Sequence, residues 1–312
     1  MQKIKLQLKI LLSVIFIVFS LTGCLYIFQE KFIFAPTTLP KNYVFQFNTP
    51  FEELNIVNTQ NITLNGLHFY AQNTPKAKEA ILFLHGNADN IEKWGKLSWF
   101  YTMQGYDFFV FDYQGYGKSG GKIKNEQQLY NDIHLMFNKV LNYFEKDKIT
   151  IIGYSIGTGL AAETAQHFGI SKLVLIAPYF NFKQLAQQKM PYAPISLLRY
   201  QIPSNQFIHN LIQQKPNTKI LIIHGEHDKV IPIAHSQQLS ITFPKNIQFK
   251  SLDCCGHNDL IMHEDFYHIM TEYFRQPERL LTADTLHTKD SANIRPFSMS
   301  VVRSSRNHRQ VS

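Results

Sequence analysis

Ser155 sits between two glycines in Gly153-Tyr154-Ser155-Ile156-Gly157, Asp228 lies in HGEHDKVIP, and His257 lies in CCGHNDL. A serine hydroxyl is a weak nucleophile until a base takes its proton, and an imidazole does this best when a carboxylate orients it. These residue types can therefore perform acyl transfer if the fold brings them together. The bare Gly-x-Ser-x-Gly pattern arises by chance in about one chain in ten of this size at ordinary Gly and Ser usage, so its context has to carry the inference. Here a β-branched run, Ile149–Gly153, precedes it and a helix-like segment follows. A strand-to-helix turn of that kind projects the hydroxyl from the tip of a sheet.

Acyl transfer also needs N–H donors for the developing oxyanion. The Ile156 amide, at the start of the helix, is one candidate. Asn87 in HGNADN is the second, with Ala88 as its rival. Other readings stay open at this level. Asp228 could cap the turn before Pro232, and Glu226 or Asp253 could be the acid. His257 could be a plain loop histidine. Ser119 lies in a glycine loop, GYGKSGG, and not at an elbow. His85 and Asp112 read as loop organisers, and His224 and His227 as neighbours of the acid.

The elements that must position these residues follow from hydropathy. Short apolar runs alternate with helical patterns: Ala80–Gly86, Asp107–Tyr113, Lys148–Tyr154, Lys172–Pro178, Lys219–Gly225 and Ile247–Asp253 read as strands. Helices are expected at about 90–104, 125–144, 234–240 and 262–274. Continuous apolar strands separated by helices mean a mostly parallel sheet covered on both faces, with functional groups at the strands' carboxyl ends. The candidate residues all fall there. Phe51–Gln72 reads as two or three antiparallel strands, broken by a turn at Asn65-Gly66. Residues 179–218 are too long for a plain connection and read as a small lid. Past residue 275 the periodicity stops, and 276–312 reads as a disordered tail.

Composition bounds the rest. Hydrophobic content of 45%, charged content of 17% and a net charge of +8 describe a globular chain with dispersed basic residues, and no nucleic-acid motif accompanies the charge. The three cysteines, Cys24 and the adjacent Cys254-Cys255, form neither a disulfide framework nor a metal-ligand spacing. At the N-terminus, Lys3, Lys5 and Lys9 precede the apolar run Ile10–Leu21, which ends in Leu21-Thr22-Gly23-Cys24. This is the pattern of a bacterial export signal, and the last four residues resemble a lipobox, with Cys24 as the lipidated residue. The uncharged stretch Ile10–Gln29, about 20 residues, also suits an uncleaved transmembrane helix. Either way residues 1–28 read as a signal or membrane anchor. The leading lysines favour a cytoplasmic N-terminus and a domain on the periplasmic or extracellular side.

Taken together, FQEKFIFAPTTLP, HGNADN, FDYQGYGKSGG, GYSIGTGLA, IHGEHDKVIP and GHNDL resemble the α/β-hydrolase superfamily, and more narrowly the Bem46-like serine hydrolases. The resemblance runs from about residue 28 to 260, with the motifs in the family's order. It implies an α/β-hydrolase fold over 29–275, with a mostly parallel eight-stranded sheet and a Ser155, Asp228, His257 triad. It implies a membrane anchor and no metal or organic cofactor. Asp89 stands where such proteins often carry Gly or Glu. The expected activity is hydrolysis of carboxylic esters or thioesters of acyl or lipid-like substrates through an acyl-enzyme. A serine peptidase of the same fold and a non-enzymatic hydrolase-fold binding protein are the alternatives.

Overall fold

Six strands are buried almost end to end because their side chains are apolar on both faces. In the computed structural model, which describes residues 2–275 except 75, 76 and 78, the chain opens with helix α1 (Gln2–Ile33) and a two-residue strand β1 (Ala35–Pro36). Strands β2 (Phe51–Val57), β3 (Thr63–Phe69), β4 (Glu79–Leu84), β5 (Ala88–Asp89), β6 (Tyr106–Phe111), β7 (Ile149–Tyr154), β8 (Lys172–Ile176), β9 (Lys219–Gly225) and β10 (Ile247–Leu252) follow. The helices after α1 are α2 (Ile91–Trp94), α3 (Ser98–Thr102), α4 (Glu126–Leu141), α5 (Gly157–Phe168), α6 (Phe182–Lys189), α7 (Ser204–Gln214), α8 (Ala234–Thr242) and α9 (Glu264–Arg275).

The main sheet has eight strands in the order β10-β9-β8-β7-β4-β6-β3-β2. β2 and β3 run antiparallel to their neighbours and the other pairs are parallel. Burial follows position. β7 is buried throughout, whereas edge strand β2 alternates, as a strand with one wet face must. Successive side chains feed two cores. Leu82, Leu84 and Ile151 join one with residues of α4, α5, α7 and α8; Ile81, Phe83 and Ile152 join the other with residues of α2, α3 and α9. Helices thus cover both faces, as the alternating sequence pattern implies.

Three local expectations are corrected. Asn65-Gly66 is not a turn: it lies inside β3, and the chain reverses at Asn58–Ile62, where Asn61 adopts φ +58°. Gly66 is needed there for packing, since a Cβ would sit 2.1 Å from the Phe111 ring. The single helix expected at 90–104 is broken into α2, a 3-10 turn over Gly95–Leu97, and α3. α1 does not stop at residue 28 but continues through Ile33. The apolar run ends before that, but Gln29 and Glu30 find partners on the globular domain. Gln29 Oε1 accepts from the Arg199 amide at 2.8 Å, and Glu30 pairs with Arg199 at 2.6 Å and accepts from the Tyr200 hydroxyl at 2.9 Å. The segment 179–218 carries α6, a 3-10 turn at Ile195–Leu197 and α7. The tail 276–312 lies outside the described residues.

Candidate active site

Ser155 occupies the turn between β7 and α5 with φ +55°, in the left-handed region. A non-glycine residue held there costs of order 1–3 kcal/mol and persists only where its surroundings over-determine it. They do so here through close backbone approach. A Cβ on Gly153 would lie 2.4 Å from the Gly157 carbonyl oxygen, and one on Gly157 would lie 2.1 Å from that of Leu84. The Ser155 amide donates to Ile176 O at 2.9 Å, and Thr158 Oγ1 and N both donate to Ser155 O, at 2.6 and 3.0 Å. The hydroxyl therefore projects from the sheet tip at the positive end of α5.

Its nearest base is His257. Ser155 Oγ lies 2.9 Å from His257 Nε2, and His257 Nδ1 lies 2.6 Å from Asp228 Oδ2. All three residues are buried. Gly225, at the end of β9, admits the His257 loop, because a Cβ there would meet Cys255 O at 2.3 Å. The Tyr154 hydroxyl donates to His257 O at 2.7 Å and fixes the loop from the other side. Glu226 instead accepts from Ser251 Oγ at 2.8 Å, and Asp253 is exposed. Neither competes for the imidazole.

Burial by itself would raise the Asp228 carboxyl. Hydrogen bonds from His224 and His257, the His257 charge and a backbone amide outweigh it and hold the group well below the usual carboxylate range. Asp228 Oδ1 accepts from the amides of Val230 and Ile231, both at 2.8 Å. With Asp228 ionised, His257 Nδ1 carries a proton toward it, and Nε2 is left to accept from Ser155. His224, read from sequence as a neighbour of the acid, is a direct hydrogen-bond partner of Asp228. Its Nε2–H points to Asp228 Oδ2 at 3.1 Å and Ile231 O at 2.9 Å, while Nδ1 accepts from Ser236 Oγ at 2.6 Å. Its position as the penultimate residue of β9, four before Asp228, was the available signal.

Asn87 and Ile156 flank Ser155 in one cavity of about 490 Å³. Among the described residues neither of their amide N–H groups has an acceptor, so both are free to donate. Asn87 is held by its carbonyl, which accepts from the Ala35 amide at 2.9 Å and the Tyr116 hydroxyl at 2.7 Å. β1 and β5 pair in parallel there, Ala35 with Ala88 and Pro36 with Asp89. Asp89 has φ +67°, in the left-handed region that glycine adopts without a Cβ penalty. Asp112 accepts from the Ile91 amide at 3.0 Å, and burial raises its carboxyl well above the ordinary range. Ser119 Oγ donates to Asp112 O at 2.7 Å and accepts from the Asn65 amide at 2.8 Å. Both residues organise loops away from Ser155. Burial pushes His85 down to about 4, which keeps it neutral. Cys24 lies on an exposed stretch of α1, and Cys255 is buried with its thiol pushed up to about 12, first by burial and then by Cys254.

The family model described as serine aminopeptidase, S33, matches residues 75–216. The chain is 25% identical to protein bem46 of Schizosaccharomyces pombe over 271 residues, covering 81% of this chain and 88% of that protein. It is 30% identical to the alpha/beta hydrolase domain-containing protein aho-3 of Caenorhabditis elegans over 197 residues. That match covers 61% of this chain and only 55% of the relative's length. An esterase of Pyrococcus furiosus superposes with a TM-score of 0.57 at 17% identity, covering 78% of this chain and 97% of that structure; this likeness speaks for the fold alone. The sheet order and these matches agree on an α/β-hydrolase fold, and in sequence the chain is similar to Bem46.

Proposed function

We propose that this hydrolase is a membrane-anchored serine esterase or thioesterase that cleaves acyl substrates through Ser155, His257 and Asp228. The observation that carries the reading is the continuous hydrogen-bonded line from Ser155 Oγ through His257 to Asp228, opening into a cavity walled mostly by apolar side chains. Ser155 Oγ attacks the acyl carbonyl as His257 Nε2 takes its proton. The oxyanion lies against the Asn87 and Ile156 amides. As the C–O or C–S bond breaks, His257 returns the proton to the leaving group. Water, activated by the same imidazole, then releases the acid from Ser155.

A peptidase acting at a free amino terminus is best served by a carboxylate that pairs with the ammonium group. Among the described residues no Asp or Glu lines the cavity, whereas Lys189 and Lys229 do. This favours an acyl substrate. The anchor is α1, whose stretch Ile4–Cys24 has mean hydropathy 2.1, is unburied, and is long enough to cross a bilayer. With Lys3, Lys5 and Lys9 on the cytoplasmic side, the domain faces the periplasm or cell exterior. Cleavage and lipidation at Cys24 would replace the span by a lipid at the same end of the helix.

A fluorophosphonate probe tests the nucleophile. The wild-type chain is expected to label and to hydrolyse p-nitrophenyl esters. Ser155→Ala should abolish labelling and lower kcat by at least about 10³-fold. Labelling that persists in Ser155→Ala removes Ser155 from the role.

A further inference from the structure

The cavity that holds Ser155 is not enclosed by the hydrolase domain alone. Tyr26, Gln29, Phe32 and Ile33 of α1 form part of its wall, and so does Thr22, which lies within the apolar span Ile4–Cys24. The helix is fastened at this wall by polar contacts to the segment after α6. The Arg199 guanidinium pairs with Glu30 and donates to Tyr26 O at 3.2 Å, and Gln29 Nε2 donates to Leu197 O at 3.4 Å. At the site end, Asn87 Nδ2 donates to Ile33 O at 3.3 Å. One helix thus carries the apolar span and reaches the loop of Asn87, and between Thr22 and Ile33 its inner face is pocket wall.

Depth follows from helix geometry. Phe32 stands eight residues past Cys24, which at 1.5 Å per residue is about 12 Å. The headgroup zone of one leaflet is about 5–8 Å thick. The wall therefore begins at the hydrocarbon boundary and ends just beyond the headgroups. The rim there is apolar and open. Phe32 is 68% exposed, Met190 and Leu197 are exposed, and Tyr192 is fully so. A cluster of exposed apolar side chains beside a membrane helix suits the interface and not bulk water.

We infer that the last turns of α1 are the membrane-side wall of an acyl pocket, and that a membrane-resident acyl lipid reaches Ser155 along them from the leaflet. This rests on the serine-hydrolase reading above. The occupant is one acyl chain of an ester or thioester, drawn lengthwise past Tyr26 and Phe32 with its carbonyl arriving at Ser155. The chain never leaves an apolar surface, so the cost of exposing it to water, about 0.8 kcal/mol per CH₂, is avoided.

The test uses the full chain in phosphatidylcholine vesicles. Fluorophosphonate labelling of wild type, absent in Ser155→Ala, comes first; without it the hydrolase reading falls and this inference with it. Given labelling, hydrolysis of a four-carbon and a fourteen-carbon ester is compared in wild type and Phe32→Glu. The ratio of long-chain to short-chain kcat/KM should fall about tenfold in the variant, and a ratio unchanged within twofold overturns the proposal. A long-chain fluorophosphonate with a diazirine on its alkyl tail gives a readout that needs no variant. After reaction and illumination the crosslink should map to residues 22–33, and crosslinks confined to other segments overturn the wall. Finally, the fourteen-carbon ester embedded with the enzyme should turn over at least tenfold faster than the same ester supplied in separate vesicles. Equal rates would overturn delivery from the leaflet.

Discussion

Asp228 is the residue at which chemistry and architecture meet. It accepts from His257, from His224 and from two backbone amides, so its charge is stabilised far beyond what one imidazole would supply. Asp228→Asn keeps the shape and presents an amide to His257, which disfavours the tautomer with Nε2 free to accept from Ser155. The expected loss in kcat is of order 10³–10⁴-fold with little change in KM, measured on a short p-nitrophenyl ester. Ser155, Asp228 and His257 could be named from sequence because each follows an apolar strand, and the structure brings them within hydrogen-bond distance. The His224–Ser236 pair could not. Ser236 lies 12 residues on, in α8, and nothing in residue type marks it as the hydroxyl that reaches His224 Nδ1.

Elements set the acid sensitivity. His85 at the tip of β4 and His235 in α8 are buried, and burial depresses both to about 4 from an ordinary 6.5. Between those values the unfolded chain binds protons that the folded chain does not, so stability rises with pH. It is complete above about 6.5 and is lost as pH falls toward 4. Each histidine contributes at most about 1.4 kcal/mol per pH unit, and the fully buried His85 about 3 kcal/mol in all. Asp228, whose folded carboxyl is also depressed, adds a loss of the same sign below about pH 4. Urea midpoints from pH 7 to 4.5 should decline, and His85→Gln should shallow the slope by up to one proton's share. An unchanged slope would mean that His85 takes up its proton within the fold. The parallel strands behind these sites were legible because doubly buried strands are apolar throughout. The turn near Asn65-Gly66 was misread because glycine there answers to the Phe111 ring, a contact between positions 45 residues apart that no local pattern records.

In the whole molecule, the short pairing of β1 with β5 joins α1 to the loop that carries Asn87. Polarity at Gln29, Glu30 and Lys31 made the helix seem to end early, since its partners on the domain are invisible from sequence. Ala35→Pro deletes the N–H that donates to Asn87 O while leaving the eight-stranded sheet untouched. Its expected cost is about 1 kcal/mol in stability but roughly tenfold in kcat, read by thermal unfolding and ester hydrolysis on one preparation. Equal, small effects on both would show that the loop holds itself. The β1–β5 pairing also bears on how the protein is prepared. A truncated version that begins after residue 40 discards, together with α1, the strand that pairs with the loop carrying Asn87. Such a preparation would display an intact circular dichroism spectrum and a sluggish serine, and a substrate screen run on it would return false negatives.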